Sequence, residues 1–152
     1  MRRLAYGLVI ALCLAAFAVP AMAAENTSEY RHGYITVQSV EIDLVNDEAT
    51  VNVTYTVDDG VQLLVHFLGM SDLRTKVTEV ANFQNATIEE IGMDHAVLVV
   101  EGAANGYDDG TFRFYEHEFS VSVPEITVKT PQEQRVYYNT TRLPASIGYF
   151  RT

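Results

Sequence analysis

The chain of 152 residues contains one cysteine, no tryptophan and four prolines, and its 10 basic side chains are outnumbered by 20 acidic ones. The scarcity of positive charge, a net −10, excludes the basic face that nucleic acids and anionic membranes require. With 48% apolar and 20% charged residues the composition is that of a globular protein, and the length suits one domain. Several catalytic signatures are missing too: no G-x-S-x-G elbow, no H-E-x-x-H, no phosphate-cradling glycine loop and no dinucleotide fingerprint. The sequence is therefore read as non-enzymatic, with no cofactor.

The single cysteine, Cys13, lies inside an apolar run over 4–19 that follows Arg2 and Arg3 and precedes Pro20 and Ala21-Met22-Ala23. A positive start, an apolar centre and an A-x-A site form a secretory signal, predicted to occupy residues 1–23 and to be cleaved after Ala23. Leu12 stands where a lipoprotein signal requires a small residue, so Cys13 is not read as a lipid attachment point. Cleavage leaves 129 residues with 8 basic and 20 acidic side chains, a net −12, and no cysteine. Disulfides, thiolate metal sites and cysteine nucleophiles are then excluded, and the apolar core alone must hold the domain. The expected location is extracellular or at the cell surface.

Export gives meaning to four sequons, at Asn26, Asn52, Asn85 and Asn139, each a candidate glycan acceptor. Asn52 lies in the clearest alternating stretch of the chain. Ala49, Val51, Val53, Tyr55 and Val57 share one parity, and Thr50, Asn52, Thr54 and Thr56 the other. That pattern predicts a strand with one buried face and Asn52 in solvent. It pairs with the β-branched stretch over 34–45 through an Asn46-Asp47 turn, and the shift of apolar phase near Ser39 marks a bulge.

After Asp58-Asp59-Gly60, residues 61–68 are apolar on both parities and are predicted to form a central strand buried on both faces, with His66 as a core imidazole. A helix is expected over 72–83, with Leu73, Val77, Val80 and Ala81 toward the sheet. Residues 86–91 and 95–101 read as a second hairpin, 102–110 as a polar loop and 111–123 as a long strand. Pro124 interrupts that strand, and 125–129 is expected to continue at a sheet edge. From about 124 the chain becomes an extended C-terminal segment with a short strand at 135–138 and aromatic pairs at Tyr137-Tyr138 and Tyr149-Phe150, expected to close a sheet edge or contact another protein. The fold class is α+β, mainly antiparallel β: a two-layer sheet or sandwich-like domain over 33–152 with one covering helix.

The densest group of titratable residues is Tyr115-Glu116-His117-Glu118-Phe119. Strand alternation puts Glu116 and Glu118 on one face and His117 on the other, so one strand does not bring all three to one ion. The same parity predicts that His117, with Tyr115, Phe119 and Val121, is hydrogen-bonded at the core's edge. Glu116 and Glu118, with Asp108 and Asp109 of the polar loop, are the candidate ligands of a divalent cation, although Tyr107 interrupts the EF-hand pattern in that loop. His66, His95 and His117 converging on zinc is a further arrangement, with no motif spacing in its favour.

In layout the chain resembles small exported proteins of methanogenic archaea, through residues 49–57, 63–73 and 95–100. The resemblance spans most of the mature chain and implies neither a cofactor nor catalytic residues. The functional expectation is an exported, non-catalytic domain that binds or supports another envelope protein. The alternative is a cation-dependent binding module on the carboxylates named above.

Overall fold

The computed structural model describes residues 27–143 and 146–151. The proposed leader and Asn26 lie outside the described residues.

A 3-10 turn, Thr27–Tyr30, leads into a two-residue strand β1 (Arg31–His32), followed by β2 (Ile35–Val45) and β3 (Glu48–Val57). β2 and β3 form the expected hairpin, with Asn46 in the left-handed region at φ 54°. The expected bulge is present as a register shift between Val37 and Ser39. Burial along β3 alternates without exception, so Asn52 and its threonine neighbours face solvent.

Next come two helices, α1 (Asp59–Leu68) and α2 (Ser71–Ala81). α1 replaces the predicted two-sided central strand over 61–68. The apolar residues of 61–68 fall on both strand parities, but Gln62 and His66, four apart, also share one helical face, and the segment folds as a helix that starts from Asp58. Its carbonyl accepts from Val61 N and Gln62 N (2.8 and 3.1 Å), while Asp59 places a negative charge in the first turn. Gly69, at φ 91°, ends the helix with its N–H on the Val65 carbonyl. The correction extends to His66, which is exposed on α1 instead of buried. α2 matches the predicted helix and buries Leu73, Val77, Val80 and Ala81. Asn82, left-handed at φ 57°, caps it and donates from Nδ2 to the Glu118 carbonyl.

The second hairpin is β4 (Ala86–Ile91) and β5 (His95–Val100), followed by β6 (Ala104–Gly106) and β7 (Thr111–Phe114). The long strand expected over 111–123 is divided between two sheets. The chain leaves β7 at Tyr115 and enters β8 (His117–Lys129). β9 (Gln134–Leu143) and β10 (Ile147–Phe150) complete the fold, so the tail carries more strand than its sequence indicated.

The main sheet has the order β4-β5-β3-β2-β8-β9, with β1 also on β2, and a smaller sheet has the order β10-β7-β6. All pairs are antiparallel except β2 with β8. The fold is thus α+β and mainly β. β8 lies inside the sheet, between β2 and β9, so 125–129 is not the edge. Pro124 is accommodated because it precedes the first β2–β8 pair, Val40 with Ile126, where no parallel ladder needs its N–H.

One face of the main sheet, with Ile42, Val51, Leu98 and Val128, joins α2 and the small sheet's Phe112, Phe114, Ile147 and Tyr149 in one core. The opposite face presents Glu41, Asp43, Thr50, Asn52 and Thr54 to solvent. Among the described residues no helix is long and apolar enough to cross a membrane.

Candidate functional site

The crossing from β7 to β8 sets the geometry around His117. Its Nε2 lies 2.7 Å from the Ala81 carbonyl at the end of α2. A carbonyl only accepts, so Nε2 carries the proton and the neutral ring keeps its lone pair on Nδ1. The ring stacks on Phe83 at a centroid distance of 3.8 Å and meets Phe119 edge-on at 4.8 Å. Burial holds the His117 pKa below its ordinary value of 6.5, while the Ala81 hydrogen bond acts in the opposite direction. Beside it opens a cleft of about 200 Å³ lined by Asn85, Glu101, Tyr115, Glu116 and His117.

A folded-state pKa below the unfolded one means that the unfolded chain binds the proton more readily. Stability from this residue is therefore full above about pH 6.5 and is lost as pH falls through the depressed folded value. His117→Phe keeps an aromatic ring against Phe83 and removes the titration. Urea unfolding of both proteins between pH 4 and 7.5 is expected to give a wild-type-minus-variant difference that is flat above about 6.5 and declines below it. A difference that is flat throughout would contradict a buried neutral ring.

The other candidates are engaged separately. Glu118 is exposed and pairs with Arg142 at 3.6 Å. The Asp109 carboxylate accepts from the backbone N–H and the hydroxyl of Thr111, which lowers its pKa. Asp108 is exposed in the same β6–β7 loop. His95 sits between Asp94 and Glu90, at 2.7 and 3.3 Å, and these hydrogen bonds raise its pKa. His66 lies on α1 beside Phe67, the ring centroids 6.2 Å apart. The three histidines thus occupy three different settings, and among the described residues no three His, Cys, Asp or Glu side chains are grouped as a metal ion requires.

The described sequons are all at the surface. Asn52 is central on the open sheet face and Asn85 precedes β4. Asn139 is left-handed at φ 48°, and its Oδ1 accepts from the Tyr30 hydroxyl at 2.8 Å. The tail aromatics divide. Tyr149 is buried and donates to the Asn46 carbonyl at 2.6 Å, whereas Tyr138 and Phe150 are exposed.

One surface was not anticipated from the sequence. α1 exposes Leu63 at 64%, Leu64 at 54% and Phe67 at 75%, while Val65 is buried in the core and Val61 packs partly buried against it. Residues 63, 64 and 67 share one helical stripe, which emerges only when 61–68 is folded as a helix instead of a strand. No family model, curated protein or solved structure matches this chain.

Proposed function

We propose that the protein is an exported, non-catalytic domain that docks on another envelope protein through α1. Export rests on the leader-like residues 1–23, with a positive start, an apolar centre and an A-x-A site. The observation that carries the docking is the uncovered stripe of Leu63, Leu64 and Phe67. Large apolar side chains grouped on a monomer's surface mark an interaction site, because water penalises each while it stays uncovered.

Charge defines the partner. Asp58 is paired with Arg31, but the first turn carries the exposed Asp59, and a cleft joins Asp59, Leu63 and His66 to Met93, the neighbour of the exposed Asp94. On a chain of net negative charge, this acidic margin favours a protein whose apolar groove is rimmed by lysine or arginine. The exposed sequons Asn52, Asn85 and Asn139 are proposed glycan acceptors and lie off this helix.

Exchanging Phe67 and Leu64 together for aspartate tests the proposal. Binding to envelope preparations of the source cell is expected to fall by about tenfold or more. The melting temperature is expected to stay within a few degrees, since both side chains are already exposed. Unchanged binding would remove α1 as the docking face.

A further inference from the structure

A cleft lies at the other end of the β2–β3 hairpin, on elements that do not include α1. Three segments meet there: the turn residues Asn46 and Asp47, the stretch 102–107, and Arg151 after β10. They line a shallow, open cleft of about 690 Å³.

The cleft is braced by hydrogen bonds. Ala104 N donates to the Asp47 carbonyl at 3.2 Å, and the Tyr149 hydroxyl to the Asn46 carbonyl at 2.6 Å. Arg151 N donates to the Gly110 carbonyl at 2.9 Å, and Tyr107 N to the Thr111 carbonyl at 2.8 Å. Phe112 contributes an aromatic wall, backed by Tyr149 with ring centroids 5.8 Å apart. Gly106 is needed for that arrangement, because a Cβ there would lie 2.9 Å from the Phe112 ring.

The polar groups in the lining define the ligand. The Arg151 guanidinium lies 5.8 Å from the Phe112 centroid, and among the described residues it forms no ion pair. Its planar donors match a carboxylate. Asp47 adds an exposed carboxylate acceptor, and Asn105 an amide that both donates and accepts. Tyr107, with its hydroxyl 3.1 Å from that of Tyr115, leaves a half-exposed ring as an apolar platform. A simple anion would use Arg151 and leave the acceptors idle, and a neutral sugar would offer Arg151 hydroxyl acceptors but no opposite charge.

We infer that this cleft binds a saccharide bearing a carboxylate, with Arg151 on the carboxylate, Asp47 and Asn105 on hydroxyls and Tyr107 against the ring. Such a ligand exists free or as a residue within a surface polysaccharide, and the same chemistry recognises both.

The test is a titration of isotope-labelled protein, expressed from the full-length coding sequence, with methyl glucuronide, free glucuronate, methyl glucoside and acetate. Saturable shifts of the Asp47, Asn105, Gly106 and Arg151 amides are expected with methyl glucuronide, at a dissociation constant on the order of 1 mM. Methyl glucoside and acetate are each expected to bind about tenfold more weakly or less. Equal binding of the methyl glycoside and free glucuronate would fit a residue held within a polysaccharide, and preference for free glucuronate would fit a free sugar acid. Arg151→Gln is expected to remove the preference for the glucuronide over the glucoside, and Tyr107→Ala to weaken both, with melting temperatures unchanged. Absence of saturation overturns the inference. So does acetate matching the glucuronide, which would mean a bare anion site, or the glucoside matching it, which would mean no role for Arg151. The Leu64 and Phe67 aspartate variant should titrate like wild type, which separates failure here from failure of the α1 docking.

Discussion

Leu98→Ala is expected to lower the unfolding free energy by about 2–5 kcal/mol. Leu63→Ala is expected to change it by no more than about 0.5 kcal/mol. Leu98 is fully buried in β5, with Val51 of β3 on one side and Ile88 of β4 on the other. Truncating it removes apolar contact and leaves a cavity that paired strands cannot close by moving. Leu63 is 64% exposed, so alanine there surrenders little contact and suits a helix better. Urea denaturation reads both: the Leu98 midpoint should fall with an unchanged slope, and the Leu63 midpoint should hardly move. Comparable losses at the two sites would mean that residues 61–68 are buried as a strand, as their two-sided apolar pattern first indicates.

That contrast also separates what was legible in the sequence from what was not. The β2–β3 hairpin was legible because each residue of β3 alternates between core and water, and a period of two has one structural meaning. α2 was legible because Leu73, Val77, Val80 and Ala81 stand apart from the polar residues between them. α1 was not, since its apolar residues Leu63, Leu64, Val65 and Phe67 fall on both strand parities and read as a two-sided strand, while the helical face marked by Asp59, Gln62 and His66 was passed over. The β7–β8 crossing was hidden for a related reason: the phase change between Phe114 and Phe119 looks like a bulge in sequence, and here it is the passage from one sheet to another. The edge-of-core placement expected for His117 agrees with its bond to Ala81, though its stacking on Phe83 depends on how α2 ends. The carboxylates are harder to place. Asp109 and Glu118 resemble cation ligands until their partners, Thr111 and Arg142, are known. The Asn46–Arg151 cleft joins residues 105 positions apart, Asn46 and Arg151, and short-range patterns do not encode such a meeting.

Phe114→Ala is expected to cost about 3–5 kcal/mol and to act mainly on the small sheet. Phe114 is 2% exposed and ends β7, between Ala104 of β6 and Ile147 of β10. Its ring centroid lies 6.4 Å from that of Phe83, which in turn stacks on His117 and meets Phe119 edge-on. The three-stranded sheet is therefore tied to α2's end and to β8 through this aromatic group. Removing the ring weakens that tie but leaves the main sheet's ladders and most of its core in place. Hydrogen exchange should reveal the asymmetry. Amides of β6, β7 and β10 are expected to exchange about a hundredfold faster, and those of β3 and β5 much less so, if the small sheet opens as its own unit. An equal acceleration in every strand would instead show that both sheets unfold together. Phe114→Leu, which restores most of the apolar volume without the ring, should recover much of the loss. If leucine recovers nothing, the aromatic contact with Phe83 carries the stability, and apolar volume alone does not hold the sheets together.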